Sequence, residues 1–566
     1  MFTRSDLETK KLLWLLTLRI RGRSYRFSTE PTVCTWTHPQ KGPELLQFVS
    51  GLEFLSYEDT VELFDTKVSE REVSLSVLFA QAMSDGWDSI ADPSKDIGSG
   101  SGELALLLAG DDFADRQVIV KGYIEEPTHG TRYEPVEFTL TESDHKDPAR
   151  IPETTAKVSQ QTWPKRLVAG NTLQADDNAL GQFYPVVFGE PGRFAPPDWK
   201  GRGSGFIGAT PALLVKIDTT AGDNITNDAT LIIAGHETWK TGSAGTVQVF
   251  NETNKTTMSK TPIHTTDARG RMVTAIEYGV PPATGEEAPG YVAPGTEIWV
   301  AWSDCGGVPN TLRTGPMAGA GEIIEYLLGR SGLRVDTLRS RAVLQEVNNI
   351  QLDFWFNEPR SPFETILEDI LPCVPLSPQI RPDGLGFVYW NWSATAADAS
   401  EEIDMSRINS DRLSSVEVSA VDDVYNEITI QYCPDGPGGK FRKSLTYSYD
   451  PDYRDLTQMR NPYAYESFTR YGKRGGLVIE APAVCRDETA AQILDWRIRR
   501  HAQTHRTVSY RVPQSYQALE VGDVVTLTDF EINWSQVVCL VTGIVRAPGS
   551  CEITVTTVSN WARDSM

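Results

Sequence analysis

Short runs that alternate apolar and polar residues recur along the chain, and they constrain its fold more than any other feature. Near the C-terminus, "QALEVGDVVTLTD" (Gln517–Asp529) places a Gly-Asp pair between two such runs. This predicts a hairpin with its reversal at Gly522 and Asp523, because glycine tolerates the backbone angles of a tight turn. Gly (45 residues) and Pro (34 residues) interrupt the runs often. The pattern predicts a mainly β fold with some α.

A chain of 566 residues is expected to contain several domains. We predict four: a β domain over 1–165, a β-barrel or sandwich over 166–308, an α+β domain over 309–419, and a β domain with one long helix over 420–566. The second rests on "ATLIIAG", "GTVQVFN", "RMVTAIEYG" and "TEIWVAWSD", which follow one another as strands at fairly regular spacing.

Three segments have helical periodicity. "GEIIEYLLGRSGL" predicts a helix with Gly329 as a C-terminal cap. In "SPFETILEDILP", Ser361 can cap the helix, Pro362 suits its first position and Glu364 completes a capping box. "DETAAQILDWRIRRHAQ" predicts a long helix capped by Asp487.

The formal net charge is −23, which disfavours both nucleic-acid binding and docking on an anionic membrane. No apolar run is long enough to cross a bilayer, and "KKLLWLLTLRIRG" lacks the cleavage site of a signal peptide. We therefore expect synthesis in the cytoplasm, no membrane span and no export signal.

Motifs that could carry chemistry are weak. The seven cysteines form no CxxC pair, which favours buried thiols over a disulfide framework or zinc site. The GxGxxG match at Gly203–Gly208 lacks a preceding strand, and "DTTAGDNITND" lacks EF-hand spacing, so both favour loops. Cys305 has no local signature that links it to a histidine. We predict no catalytic, cofactor-binding or metal-ligating residues, hence no enzyme.

Aromatic and basic residues leave two questions open. Fourteen Trp residues keep glycan binding possible, although core packing is the commoner use of Trp at strand positions. The candidates for core packing are Trp299, Trp302, Trp390 and Trp392. A basic strip of Arg497, Arg499 and Arg500 on the last helix favours salt bridges or a subunit contact over a nucleic-acid reader.

Several segments together resemble the tail hub (baseplate hub) proteins of long-tailed bacteriophages. They are "GLEFLSYEDTVELF", "REVSLSVLF" and "YPVVFGEPG" in the first half, then "AGEIIEYLLGRSGL", "SPFETILEDILP", "RPDGLGFVYW", "DDVYNEITIQY" and "QALEVGDVVTLTD". The resemblance is one of arrangement and covers most of the chain loosely.

The resemblance implies a structural virion protein that forms a trimer at the tail tip. Two β-barrel-like domains per chain resemble tail-tube subunits, so three chains imitate a six-fold ring. It would link the distal tail or tail-tube protein to tip or fibre proteins, meet the tape measure protein and line the DNA ejection channel. The tube-like domains would be 1–165 and 420–566, leaving the middle domains peripheral. An acidic lumen would repel transiting DNA, which is one possible use of the charge.

Two alternatives follow from the same residues. One is a tail-associated glycan-binding or glycan-degrading protein, which predicts an aromatic cleft with two carboxylates. The other is a component of a contractile secretion or gene-transfer particle. The chain shows no lysozyme insert, cluster-binding cysteines or fibronectin-like extensions of the kind that some hubs carry.

Overall fold

A computed structural model provides the coordinates of the chain. It describes residues 4–20, 22–38, 42–54, 57–60, 72–78, 100–128, 135–141, 149–168, 171–194, 206–207, 209–218, 229–240, 245–251, 256–278, 292, 295–303, 305–310, 315–333, 335–381, 384–408, 411–434, 439–452 and 454–559. The glycines of the GxGxxG match and the loop that follows Asp218 lie outside these residues.

The N-terminal part of the chain forms one short helix and a large antiparallel sheet. The helix is α1 (Arg4–Thr9). The strands are β1 (Leu12–Ile20), β2 (Arg23–Ser28), β3 (Thr32–His38), β4 (Gly42–Ser50), β5 (Leu52–Phe54), β6 (Tyr57–Thr60), β7 (Glu72–Val77), β8 (Ser101–Leu108), β9 (Gln117–Thr128) and β10 (Val136–Thr141). Nine of them join in the order β3-β4-β2-β1-β8-β9-β10-β7-β5, and only β2 and β4 pair in parallel. We call this the N-terminal sheet.

Alternation along β1 explains why this sheet has two distinct faces. Trp14, Leu16 and Leu18 enter a core with the apolar residues of β7, β8, β9 and β10. Leu13 and Leu15 point to the other side and pack under the β3–β4 hairpin. Burying apolar residues on alternate positions fixes the register, since a slip of one residue would expose the whole set.

The next part of the chain forms two facing sheets. The strands are β11 (Arg166–Val168), β12 (Asn171–Gln174), β13 (Val186–Phe188), β14 (Arg193–Phe194), β15 (Phe206–Ile207), β16 (Thr210–Pro211), β17 (Leu213–Asp218), β18 (Ala229–Ala234), β19 (Trp239–Lys240), β20 (Thr246–Asn251), β21 (Thr256–Lys260), β22 (Ile263–Thr266), β23 (Met272–Tyr278), β24 (Ile298–Ser303) and β25 (Cys305–Gly306). The sheets β11-β12-β17-β18-β23-β22 and β16-β24-β20-β21 share one apolar core. Such packing is that of a sandwich.

The three segments with helical periodicity contain helices, two of them with corrected ends, and α3 is a further helix that the sequence pattern did not predict. The elements are α2 (Ala320–Ser331), α3 (Thr337–Glu346), β26 (Phe354–Phe356), α4 (Pro362–Thr365), β27 (Leu376–Arg381) and β28 (Gly384–Tyr389). The Ser361 N–H donates to Glu364 and Pro362 holds the first position of α4, as predicted. The prediction for Gly329 is wrong, because α2 continues through it and ends at Gly332, whose φ of +73° suits a left-handed cap.

The C-terminal part contains two further sheets and two helices. Its strands are β29 (Glu401–Asp404), β30 (Asp411–Arg412), β31 (Glu417–Val418), β32 (Glu427–Pro434), β33 (Phe441–Ser448), β34 (Gln458–Arg460), β35 (Gly476–Ala481), β36 (Arg506–Pro513), β37 (Val524–Asp529), β38 (Trp534–Ala547) and β39 (Ser550–Thr557). The C-terminal sheet has the order β29-β37-β38-β39-β36-β30, and the smaller one β34-β33-β32-β35. The helices are α5 (Pro462–Tyr471) and α6 (Asp487–His501).

The start of α6 differs from the prediction that Asp487 caps it. Arg486 holds the cap position, and Asp487 is the first helical residue. Its carboxylate accepts hydrogen bonds from the Tyr432 hydroxyl at 2.9 Å and from Lys443 Nζ at 2.7 Å. Asp487 therefore fastens the helix to the β32–β33 hairpin, at the helix end where negative charge is favourable.

A single apolar core runs from α2 through α6 into the C-terminal sheet, so it contains residues from both sides of the border predicted at 419/420. The three predicted domain borders stay predictions. The mainly β fold with some α, spread over several sheets, is confirmed. Trp299, Trp302, Trp390 and Trp392 are buried, as predicted.

Asp353 connects three distant parts of the chain. Its carboxylate is fully buried and forms an ion pair with Arg486, whose Nη2 lies 2.8 Å from Oδ1. The Glu190 N–H donates to the same oxygen at 2.7 Å, and the Asp353 N–H donates to Ala483 O at 2.9 Å. A Cβ on Gly189 would lie 2.3 Å from Oδ1, so the turn beside β13 requires glycine.

We predict that Asp353→Asn lowers the free energy of unfolding by about 3 kcal/mol, because it removes the nearer of two carboxylates that pair with Arg486 and leaves only Glu190, at 3.8 Å. Calorimetric and urea unfolding would measure the change. Glu552→Gln is the matched control, since Glu552 pairs with Arg511 at an exposed position and its loss should cost less than about 1 kcal/mol. Equal effects of the two substitutions would contradict the anchoring role of Asp353.

Candidate functional site at the junction of the terminal sheets

One long strand, β38, joins the two ends of the chain. It has 14 residues, whereas its neighbour β37 has 6 and pairs with it only from Trp534 to Leu540. Beyond Leu540 the same edge pairs antiparallel with β6, from Gly543 opposite Thr60 to Arg546 opposite Tyr57. A strand from the first sixty residues thus completes the edge of a sheet built from the last two hundred.

The strand that makes this contact comes directly from the N-terminal sheet. β5 pairs with β7 there, and Leu52 of β5 is buried in the N-terminal core. After two residues the chain continues as β6 and pairs with β38. Because the link consists of backbone pairing, it covers a strand edge that would otherwise expose unpaired N–H and C=O groups.

A second contact lies beside the first. Helix α1 packs against a 3-10 turn at Gln514–Ala518, and Ala518 contacts the core that contains Leu7 and Trp14. The junction is therefore formed by β6 on β38 and by α1 on this turn.

The prediction that Gln517–Asp529 is a hairpin is wrong. Only Gln517 and Ala518 belong to the 3-10 turn, and only Val524–Asp529 is a strand. Gly522 still turns the chain, with a φ of +96°, and its N–H donates to Val541 O at 2.8 Å. The hairpin between β37 and β38 reverses later, at Phe530–Asn533, where Asn533 adopts the left-handed conformation.

A buried arginine holds the 3-10 turn against β38. Arg546 is 3% exposed, and its Nη2 and Nε donate to Leu519 O at 2.6 Å and to Gln517 O at 3.2 Å. The Gln517 amide donates back to Ala547 O and Ser550 O, both at 2.8 Å. Since Arg546 is also a pairing position of β6, it connects both contacts of the junction.

The face of the C-terminal sheet opposite the core carries hydroxyl groups in rows. Thr507 and Thr556 are 3.0 Å apart through their hydroxyl oxygens, and those of Ser509 and Thr554 are 2.9 Å apart. Arg511 and Glu552 form an ion pair at the next position. These rows make a polar surface with little net charge.

The predicted basic strip is not an exposed face. The guanidinium groups of Arg497, Arg499 and Arg500 lie over the rings of Trp496, Tyr463 and Trp392, respectively. Burial lowers the pKa of Arg497 and of Arg500 to about 10. The three guanidinium groups thus pack against aromatic rings of the same chain. Salt bridges or a subunit contact at this strip stay a prediction.

A cleft of about 800 Å³ lies between β26, the π-helical turn Ile366–Ile370 that follows α4, and the β32–β33 hairpin, and Glu368, Asp369 and Glu480 line it. Burial raises the pKa of Asp369 to about 6, and Arg360 Nη1 lies 3.3 Å from its carboxylate. The rings of Phe354 and Trp355 that border the cleft are buried in the cores, so they are not platforms for a sugar.

Other candidates for chemistry give no site in the described part of the chain. Its histidine, cysteine and carboxylate side chains form no group of three that could hold a metal ion. Six cysteines are buried and form no disulfide bond, while the side chain of Cys305 is outside the described residues. Among the described helices, none has the length and apolar character needed to cross a bilayer.

Comparison with known proteins points to phage tails. Residues 395–536, which include α6, β37 and the start of β38, match the model of a family described as putative phage tail protein. The chain is therefore similar to phage tail proteins, and this match does not separate a hub from other tail components. No curated protein matches the sequence.

Three solved structures align over much of the chain. A tail protein from Neisseria meningitidis MC58 is 10% identical, with 97% of this chain and 98% of that one covered and a TM-score of 0.35. The 43 kDa tail protein of prophage MuSo2 from Shewanella oneidensis is 10% identical, with 96% and 98% covered and a TM-score of 0.36. A chain of a native gene transfer agent virion is 12% identical, with 67% and 85% covered and a TM-score of 0.33. The family match, rather than these alignments, bears on function.

We predict that Arg546→Met weakens the junction, because the carbonyls of Gln517 and Leu519 lose a charged donor. Each such hydrogen bond is worth about 1.5–3 kcal/mol, so we expect about 3 kcal/mol or more in the free energy of unfolding. Hydrogen exchange should accelerate in Gln514–Ala518 and at Gly543–Ala547. The control is Arg511→Met, which removes the same side chain from an exposed pair in the same sheet. Unchanged exchange in both segments would contradict the role of Arg546.

Proposed function

We propose that the protein is the structural hub at the tail tip of a phage-like particle. The observation that carries the proposal is the pairing of β6 with β38, which places sheets from the two ends of the chain side by side. Two adjacent sheets per chain are what a few copies need to close a collar without free strand edges. The similarity of residues 395–536 to phage tail proteins supports the same assignment.

Within this proposal, three copies form a closed ring in which terminal sheets alternate around a channel. One side of the ring meets the distal tail or tail-tube protein and the other meets tip or fibre proteins. The tape measure protein contacts the ring, and DNA passes through it. The protein acts without catalysis, and it resides in the virion after synthesis in the host cytoplasm.

We predict that the purified chain is a trimer, or becomes one when mixed with its tail-tube or distal tail partner. Mass photometry would give the stoichiometry, and class averages of electron micrographs should show a three-fold particle with an open channel. A chain that stays monomeric under both conditions would sink the proposal.

A disulfide across the junction tests whether the ring uses the observed pairing. Glu58 faces Val545, and Asp59 faces Ile544. Of two successive antiparallel pairs one is not hydrogen-bonded and brings its Cα atoms closer together, so one of the two cysteine pairs should oxidise. We expect the oxidised Glu58→Cys/Val545→Cys or Asp59→Cys/Ile544→Cys variant to form trimers as well as its reduced form does. Loss of trimers on oxidation alone would mean that the two sheets must separate in the ring.

A further inference from the structure

A small basic cleft lies on the N-terminal sheet, on the face turned away from the core that contains Trp14. Its volume is about 150 Å³. Arg19, Arg26, Arg116 and Lys121 line it, and Glu103 is its single carboxylate. Four cations around one anion stand out in a chain whose net charge is −23.

The strand register places these residues next to one another. Arg26 lies opposite Thr17, Thr17 opposite Glu103, and Glu103 opposite Lys121, in one row across four strands. In the adjacent row, Arg19 lies between Ser24 and Ser101. Cross-strand neighbours on one face are about 5 Å apart, so cations and hydroxyl groups form one surface.

The β3–β4 hairpin makes this surface concave. It folds over the sheet through Cys34, Leu46 and Phe48, which pack against Leu13 and Leu15. Trp36 and Leu46 of the hairpin also border the cleft.

Arg116 and Lys121 are held in place by their neighbours in the cleft. Arg116 Nε donates to Glu103 at 2.6 Å, its Nη1 donates to Phe113 O at 3.1 Å, and its guanidinium lies 4.3 Å above the Phe113 ring. Lys121 Nζ lies 3.9 Å from the other oxygen of Glu103. Arg19 is exposed and both Arg19 and Arg26 line the cleft. Among the described residues, neither arginine pairs with a carboxylate.

We propose that this cleft binds a phosphate group of the DNA backbone. Guanidinium forks match phosphate oxygens, and hydroxyl groups such as those of Thr17 and Ser24 add neutral donors. The volume equals about five water molecules, which suits a phosphodiester group and is too small for a drug-sized ligand. A phosphate carries no sequence information, so the contact agrees with the expected lack of specific nucleic-acid recognition.

The proposal takes the presence of DNA from the proposed hub function, whereas the cleft belongs to a single chain. Binding and ring formation can therefore be tested separately. A monomeric chain that binds DNA through these arginines would remove the hub proposal and keep the cleft. A chain that forms rings but does not bind DNA through these arginines would support the hub proposal and remove the proposed phosphate site.

The experiment measures fluorescence anisotropy of a short labelled DNA duplex with the full chain, over a series of salt concentrations. For the Arg19→Ser/Arg26→Ser variant we expect about tenfold weaker binding at low salt. Loss of two phosphate contacts should also lower the slope of log K against log salt by about 2. Arg19→Lys/Arg26→Lys keeps the charge without the fork and should bind with intermediate affinity.

The matched control is Arg23→Ser/Arg166→Ser, which removes the same charge at two exposed positions that do not line the cleft. It should keep the wild-type slope. Equal loss in both double variants, or no DNA binding by the wild-type chain, would overturn the proposal. So would binding of a polyglutamate peptide that depends on Arg19 and Arg26 when DNA binding does not, since the cleft would then receive an acidic protein segment.

Discussion

The edge of β38 is the constraint on which the arrangement of the terminal sheets depends. β37 covers that edge only up to Leu540, and four further positions would expose unpaired backbone groups without β6. A strand edge can be satisfied by any extended backbone, so this contact needs little from side chains. Specificity comes from the second contact, where Arg546 and Gln517 fix a 3-10 turn on β38 and α1 packs against that turn. Backbone pairing with β6 thus closes the edge of the C-terminal sheet, whereas the buried charge of Arg546 sets the position of the N-terminal sheet beside it.

In the middle of the chain, distant segments are connected by a buried ion pair at Asp353 rather than by strand pairing. Its carboxylate brings the turn after β13, the strand β26 and the start of α6 together inside an apolar core. A buried ion pair adds little net stability compared with apolar packing, yet it tolerates only one geometry. The requirement for glycine at position 189 has the same source, since any side chain there would strike the carboxylate. The sandwich and the C-terminal sheets are therefore held at a defined contact.

Local patterns predicted local elements, and failed where a distant partner decides the outcome. Strands such as β7 and β36 were predictable because alternate residues are buried on one face, and α4 because Ser361, Pro362 and Glu364 form its start. Alternation cannot reveal that β6 pairs with β38, since the register between strands almost five hundred residues apart leaves no local trace. The roles of Asp353 and Arg546 could not be predicted for the same reason. A charged residue inside an apolar run indicates that a buried partner exists, but the sequence does not show which residue it is. The Gly522 turn was placed correctly, but the backbone before it bonds as a 3-10 turn and not as a strand.

The distribution of charge bears on how DNA would pass such a ring. The overall charge of −23 suggests an acidic lumen, but the outer face of the C-terminal sheet carries rows of threonine and serine with one balanced ion pair. The face of the N-terminal sheet that is turned away from the core containing Trp14 carries Arg19 and Arg26. A channel lined by these two faces would present hydroxyl groups, with a cluster of cations at one site per chain. Instead of uniform repulsion, each chain would then bind the DNA backbone weakly at one site. Because such phosphate contacts weaken steeply with salt and dissociate readily, they would not stop a duplex that moves through the channel.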